Sequence, residues 1–197
     1  MAAATTAVLT ACKAGSHVVC LHNAYGPLKD FLSKYCTEHL DITLTYVTGD
    51  RVEEFEAAVT DATDLIVLES PSSVLFSLQT YGPCPGHCPG NTRRLVYIDN
   101  TFCTPIYQQP LDMGADIVMH TTSKYIGGHS DIIGGMLAVK DQELMKKLTA
   151  NRELLGGIVG PMEAWLMIRG LRTMEVRLAA HQAAAMEVAK FLEAHPK

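Results

Sequence analysis

The segment from Val96 to Gly135, VYIDNTFCTPIYQQPLDMGADIVMHTTSKYIGGHSDIIGG, carries the main features from which the fold can be predicted. Two short runs typical of buried strands lie in or next to it, Leu95 to Ile98 and Asp116 to Met119. Polar residues follow both runs, beginning with Asp99 after the first and leading to Lys124 after the second. In open α/β sheets, ligand chemistry collects at the carboxyl ends of parallel strands. The sequence therefore predicts a functional site at these two strand ends.

Strands alternate with helices along the rest of the chain. The predicted strands are His17–Leu21, Ile42–Val47, Asp64–Leu68, Leu95–Ile98, Asp116–Met119 and Gly134–Lys140. The predicted helices cover residues 1–14, 28–39, 51–59 and 142–154, and a long one begins at Pro161 with a kink at Gly170. This alternation predicts an α/β fold, with a mostly parallel sheet and helices on both faces. Residues 80–92, dense in Pro and Gly, cannot be a helix and predict a loop between two parallel neighbours.

Length and charge narrow the class of protein. The chain has 197 residues, enough for one domain over 1–197. Its net charge is −5, with no basic stripe, which argues against nucleic acid and anionic membranes as partners. No apolar run approaches the ~20 residues of a membrane-spanning helix. The six cysteines are interpreted as reduced thiols, which predicts a cytoplasmic protein.

Asp99 and Lys124 suggest a particular chemistry because one is a carboxylate and the other a primary amine. A pyridoxal phosphate enzyme uses a lysine to form a Schiff base and a carboxylate to keep the pyridine nitrogen protonated. Taken singly, Lys124 fits a surface lysine at a strand end, and Asp99 fits a helix cap or turn residue. The pair favours the cofactor hypothesis.

Three further residues extend this candidate site. Thr121 and Ser123 alternate along an extended chain and share a face, where hydroxyls suit a phosphate, although Ser and Thr are also common in ordinary turns. Tyr25 follows a predicted strand and precedes a Gly-Pro turn. Its ring could stack on a planar cofactor and its hydroxyl could carry a proton, or it could be a half-buried tyrosine.

A separate group of residues lies in the Pro/Gly loop. Cys84, His87 and Cys88 include two residue types that bind zinc. A closed site of four ligands would need a second Cys/His pair downstream, and the sequence has none at suitable spacing. We therefore predict a loop insertion rather than a metal site.

Several segments together resemble one enzyme family. They are ESPS at 69–72, DNTFCTP at 99–105, PLDMGADIVMH at 110–120, SKYIGGHSDIIGG at 123–135 and GPMEAWLMIRGLRT at 160–173. In this order they are similar to the Cys/Met-metabolism family of pyridoxal phosphate enzymes, the group of cystathionine γ-lyase and γ-synthase. The resemblance implies the aspartate-aminotransferase-like fold (fold type I), with a seven-stranded sheet of which six strands are predicted here.

The resemblance also implies roles by position. Lys124 would form the Schiff base and shuttle protons, and Asp99 would bind the pyridine nitrogen. Thr121 and Ser123 would bind the phosphate, and Tyr25 would stack on the ring and assist the leaving thiol.

Two positions at the margins of the site complete the implied set. Met1 resembles the start of a helix whose backbone amides help to bind the phosphate. Ser73 stands where the family has an asparagine that contacts the ring oxygen of the cofactor and the substrate. The family's N-terminal arm and C-terminal domain have no counterpart, so we expect the central cofactor domain alone, truncated at both ends.

The function that the resemblance implies is cleavage of a C–S bond in cystathionine or a related sulfur amino acid, in the transsulfuration route. A cystathionine γ-synthase or an acyl-homoserine sulfhydrylase would use the same groups. A truncated domain that binds cofactor without turnover is the alternative of another class. Relatives are dimers or tetramers, which predicts a homo-oligomer.

Overall fold

Six strands form a single sheet in the part of the chain that the structure, a computed structural model, describes: residues 1–79 and 94–196. They are β1 (His17–Leu21), β2 (Thr43–Val47), β3 (Thr63–Glu69), β4 (Leu95–Asp99), β5 (Ile117–Thr121) and β6 (Gly135–Ala138). The strand order is β2-β1-β3-β4-β5-β6. All neighbours are parallel except β5 and β6, which are antiparallel. The predicted mostly parallel α/β sheet is confirmed.

Helices connect the strands. They are α1 (Ala2–Ala11), α2 (Gly26–Asp30), α3 (Thr37–His39), α4 (Val52–Ala58), α5 (Thr104–Tyr107), α6 (Gln142–Leu155), α7 (Pro161–Leu171) and α8 (Met174–Glu193). A π-helical turn, Phe31–Cys36, joins α2 to α3, so the helix predicted over 28–39 is one continuous helical segment. A second π-helical turn, Thr122–Ile126, follows β5 and carries Lys124.

The core lies on both sides of the central strands. Every residue of β1 is buried, and so are six of the seven residues of β3. Side chains of a strand alternate between the two faces, so burial of consecutive residues means that both faces are covered. Helix α1 packs across β3, β5 and β6, and α6 packs on α1.

The first helix ends earlier than predicted. It stops at Ala11 rather than at residue 14, and Cys12 has an extended backbone. The Ser16 hydroxyl explains this, because its oxygen accepts the N–H of Lys13 (2.9 Å) while it donates to Oδ2 of Asp64 (2.5 Å). A side chain in β3 therefore fixes the exit of the helix, in competition with the helical hydrogen bond.

The helix predicted from Pro161 is two helices rather than one kinked helix. Helix α7 ends at Leu171 and α8 begins at Met174. Gly170 lies buried at this corner, where the carbonyl groups of Ile126 and Gly127 approach its Cα closely. Such an approach requires a residue without a side chain.

Two other predictions concern the loop and the membrane. The Pro/Gly segment with Cys84, His87 and Cys88 lies outside the described residues, but β3 and β4 on either side of it are parallel neighbours as predicted. In residues 1–79 and 94–196, no group of three or more His, Cys, Asp or Glu side chains could hold a metal ion. None of the helices there is long and apolar enough to cross a membrane.

Replacing Gly170 with alanine should destabilise the fold by about 1–3 kcal/mol, because the added Cβ would overlap the carbonyl oxygens of Ile126 and Gly127. Urea unfolding followed by circular dichroism measures the free energy. Gly26→Ala is the matched control, since a Cβ built there meets no heavy atom of the described residues within 4 Å beyond its own chain neighbours and helix backbone. Equal midpoints for the two variants would contradict the tight contact at Gly170.

Candidate active site

Three strands end side by side at the carboxyl edge of the sheet. Glu69, the last residue of β3, pairs with Asp99, the last residue of β4. Asp99 in turn pairs with Met119 of β5, two residues before Thr121. Partners in register on parallel strands carry their side chains on the same face. The edge therefore groups two carboxylates with the segment that leads to Lys124.

Thr101 joins the ends of β4 and β5. Its hydroxyl and its backbone N–H (3.0 Å) both donate to Oδ1 of Asp99. The same hydroxyl accepts the N–H of Thr121 (2.9 Å). One side chain thus fixes both the Asp99 carboxyl and the start of the Lys124 segment.

Asp99 keeps one oxygen for a ligand. Burial raises the pKa of its carboxyl, and the two hydrogen bonds from Thr101 lower it in part. Both bonds that the described residues donate to it end on Oδ1. The Oδ2 atom can therefore accept a hydrogen bond from a cationic ring N–H, which would also offset the cost of burying the charge.

Gly134 holds the Lys124 turn from the side of β6. Its carbonyl accepts the N–H of Thr122 (2.9 Å) and the hydroxyl of Thr121 (3.1 Å). Its own N–H donates to Oγ of Ser123 (3.1 Å). The Ser123 hydroxyl can therefore still donate a hydrogen bond to an anion. The Thr121 hydroxyl would have to turn away from Gly134 to do so.

The corner between α7 and α8 holds the same turn from behind. Nη2 of Arg177 donates to the carbonyl of Tyr125 (2.9 Å) and to that of Gly170 (2.8 Å), and Nε donates to Oγ1 of Thr173 (3.1 Å). Lys124 lies within this turn, which Gly134 contacts on one side and Arg177 on the other, yet its side chain is exposed. Its backbone departs from helical geometry, with φ −103° and ψ −116°.

The N-terminus of α1 lies against the same edge. Met1 precedes the helix, and no side chain of the described residues caps its first N–H groups. Gly135, which pairs with Thr121, is so close to α1 that an added Cβ would lie 2.9 Å from Cβ of Ala3. The uncapped N–H groups of a helix attract anions. The predicted Met1 end of the helix is thus brought near Thr121.

Tyr25 and Ser73 reach this edge through Glu69. The Tyr25 N–H donates to Oε2 of Glu69 (2.6 Å), and the Ser73 hydroxyl donates to Oε1 (2.5 Å). The Tyr25 side chain is exposed, 44% accessible, and its ring is open to a ligand. The predicted residues Tyr25, Ser73, Asp99, Thr121 and Ser123 all lie in one connected set of contacts along the carboxyl edge.

Sequence reasoning did not single out Glu69 and Thr101 as site residues. A usable signal existed for Glu69, because it directly follows a buried apolar run, as Asp99 does. For Thr101 the sequence holds no comparable signal, since its partner Thr121 is twenty residues away.

The donor set fits pyridoxal phosphate. The exposed lysine matches the aldehyde, and the carboxylate with one available oxygen matches the ring nitrogen. The hydroxyl that can donate and the uncapped helix N-terminus match the phosphate, and the exposed tyrosine ring matches the ring face. Each group belongs to the described edge of the sheet.

Comparison with known proteins supports this interpretation. Residues 1–197 match the family described as Cys/Met metabolism PLP-dependent enzyme. The chain belongs to this family, whose members depend on pyridoxal phosphate.

Curated relatives and solved structures agree with the family. The chain is 38% identical over 194 residues to cystathionine gamma-lyase of Bacillus subtilis (98% of this chain, 51% of the relative). It is also 38% identical over 196 residues to cystathionine gamma-synthase of Mycobacterium bovis (100% and 50%). The structure of metB from Corynebacterium glutamicum superposes with a TM-score of 0.95 at 35% identity, covering 100% of this chain and 50% of that one. The chain thus spans about half the length of the relatives that it matches.

Replacing Thr101 with valine should lower the free energy of unfolding at neutral pH by about 1–3 kcal/mol, because the Thr121 N–H loses its acceptor and Asp99 loses a donor. The pKa of Asp99, already raised by burial, should rise further. The bond stabilises the ionised carboxyl, so the loss should be larger above this pKa than below it. Urea unfolding at acidic and neutral pH measures both effects.

Thr37→Val is the control for this change. Its hydroxyl is exposed and donates only to the carbonyl of Ser33 within the helical segment. An equal loss of stability in both variants, or a loss at Thr101 that does not depend on pH, would argue against the bridge.

Proposed function

We propose that this chain binds pyridoxal phosphate through Lys124 and serves a C–S lyase that acts on cystathionine or a related sulfur amino acid. The observation that carries the proposal is the Thr101 bridge, which ties the Asp99 carboxyl to the segment that presents Lys124. In this proposal the whole of residues 1–197 is the cofactor-binding domain.

Each residue of the edge has a task in this proposal. When bound, the cofactor supplies an electron-withdrawing ring for reactions at the substrate Cα. Asp99 would hold a proton on the ring nitrogen through Oδ2, and Lys124 would be the covalent attachment point and afterwards the base that takes the Cα proton. Ser123, Thr121 and the first N–H groups of α1, next to Met1, bind the phosphate.

Tyr25 and Ser73 complete the site. The exposed Tyr25 ring would stack on the cofactor, and its hydroxyl would donate a proton to the departing sulfur, which leaves as a thiol. The resemblance implies that Ser73 replaces an asparagine of the family, but the Ser73 hydroxyl donates to Glu69. A contact of Ser73 with the cofactor would therefore use its oxygen as acceptor or require the hydroxyl to turn.

Which reaction of the family this chain serves depends on its contacts with the substrate. Relatives named cystathionine gamma-lyase, gamma-synthase and beta-lyase all match the chain at 34–38% identity. Cleavage of cystathionine is our first proposal, and γ-synthase or acyl-homoserine sulfhydrylase activity is the alternative within the same chemistry.

A homo-oligomer in the cytoplasm is part of the proposal. Helices α7 and α8 expose large apolar side chains, among them Met162, Trp165, Ile168, Val176 and Phe191. Exposed apolar surface of this kind favours association with another protein surface.

Lys124→Ala should abolish covalent binding of pyridoxal phosphate. The measurement is the visible absorbance of lysine-bound cofactor after addition of pyridoxal phosphate, with mass spectrometry after borohydride reduction to locate the modified lysine. Lys147→Ala, at an exposed position of α6, is the control and should keep the wild-type spectrum. The same spectrum in Lys124→Ala as in the wild type would rule out the assigned attachment point.

Tyr25→Phe should keep the absorbance of the bound cofactor but slow the cleavage of cystathionine by roughly 10²- to 10⁴-fold, because the ring remains and the transferable proton is lost. Release of an α-keto acid from cystathionine measures the rate. Tyr35→Phe, at an exposed tyrosine packed on Phe31, is the matched control. Cofactor binding without any keto-acid release in the wild type would instead indicate a cofactor-binding domain without turnover.

A further inference from the structure

Glu69 is a buried carboxyl that the proposed chemistry does not use. It ends β3, is only 3% exposed, and lies beside Asp99 in the register of the sheet. Its pKa is raised to about 7, because burial and the Asp99 charge raise it more than the hydrogen bonds from Ser73 and the Tyr25 N–H lower it. A buried carboxyl that is retained at such a cost calls for an explanation.

The two oxygens of Glu69 have different kinds of partner. Oε2 accepts the backbone N–H of Tyr25, and Oε1 accepts the hydroxyl of Ser73. These partners belong to different loops, one after β1 and one after β3. A backbone N–H can only donate, whereas a hydroxyl can donate or accept. If Glu69 takes up a proton, that proton therefore binds to Oε1. The Ser73 hydroxyl then accepts a hydrogen bond from Oε1 instead of donating one to it.

We propose that Glu69 is a positioning residue for Tyr25, holding its backbone at the strand edge that carries Asp99. The inference rests on the role proposed above for Tyr25. The ionised carboxyl makes a charge-assisted bond to the Tyr25 N–H, and the protonated carboxyl keeps that bond in a weaker, neutral form. The strength of the hydrogen bond at the Tyr25 N–H therefore depends on the protonation state of Glu69.

The groups that face Glu69 allow its titration to be separated from theirs. Asp99 and Tyr97 face it from β4, and Cys20 faces it from β1. Burial raises the pKa of Cys20 to about 12 and that of Tyr97 well above its usual 10. Neither changes its charge near neutral pH. Among these interacting groups Asp99 is the remaining candidate, and a substitution distinguishes it.

The test is the pH dependence of the Tyr25 amide resonance, followed by ¹H–¹⁵N NMR from about pH 5 to about pH 9 on the chain without cofactor. In the wild type we expect one titration step with a midpoint near 7, the pKa of Glu69. Glu69→Gln should abolish this step. The Thr48 amide is an internal control, because it bonds to Glu54, whose pKa is lowered, and it should stay constant over this range.

Two further variants keep the test decisive if Glu69→Gln does not fold. Ser73→Ala removes a bond that lowers the pKa of Glu69, so the Tyr25 midpoint should move up. Asp99→Asn removes a charge that raises it, so the midpoint should move down. A Tyr25 resonance that is constant with pH would overturn the proposal, as would a step that survives in Glu69→Gln or disappears in Asp99→Asn.

The outcome is independent of the cofactor experiment. Because the resonance is measured without pyridoxal phosphate, a failure here leaves the assignment of Lys124 untouched. Conversely, a wild-type chain that does not bind the cofactor could still show the Tyr25 titration.

Discussion

The shared register of β3, β4 and β5 is the constraint on which the site depends. It places Glu69 beside Asp99 and Asp99 beside Met119. A slip of one residue would turn the Asp99 side chain to the opposite face. The register is also fixed at the other end of β4, where Asp116 accepts the N–H of Val96 at Oδ2 (2.9 Å) and donates its own N–H to the Val96 carbonyl (2.9 Å). Hydrogen bonds at both ends of the strand pair thus fix the position of the carboxylate.

Placing two carboxyls next to each other opposes folding. Burial raises the pKa of both Asp99 and Glu69, and the Asp99 charge also raises that of Glu69. The raised values mean that stability is present while these groups are protonated and is lost as the pH rises through their folded pKa. A cationic ring nitrogen at Asp99 would offset one charge, and the Tyr25 N–H partly offsets the other. The unfavourable free energy of burying two neighbouring carboxyls is therefore consistent with a sheet edge that binds a positively charged group.

The sequence predicted the sheet and most of the candidate site because both depend on local pattern. Apolar runs followed by polar residues located five of the six strands closely. Asp99 directly follows one such run, and Thr121, Ser123 and Lys124 lie in the polar segment after another. The sixth, β6, is shorter than predicted, ending at Ala138 rather than at residue 140. Local patterns of this kind need no knowledge of the partner strand.

Features that depend on distant contacts could not be predicted. The early end of α1 follows from Ser16 and Asp64, 48 residues apart, and the role of Glu69 depends on Tyr25, 44 residues away. The break between α7 and α8 follows from the carbonyls of the Lys124 turn that face Gly170. The sequence predicted a kink at Gly170, but helical periodicity continues across it, so only the packed structure shows that one helix ends there and a second begins.

The Lys124 turn combines a fixed backbone with a free side chain. Gly134 binds it on one side through three hydrogen bonds, and Arg177 binds the Tyr125 carbonyl on the other. Within this frame the carbonyl of Lys124 accepts the N–H of Gly128 (2.7 Å), while the side chain remains exposed. In the role proposed for Lys124, first bonding to the cofactor and then carrying a proton, a free amine on a fixed backbone is what the chemistry needs. The glycines at 128, 134 and 170 matter here because they allow neighbouring segments to approach the turn closely enough to hold its backbone without covering the amine.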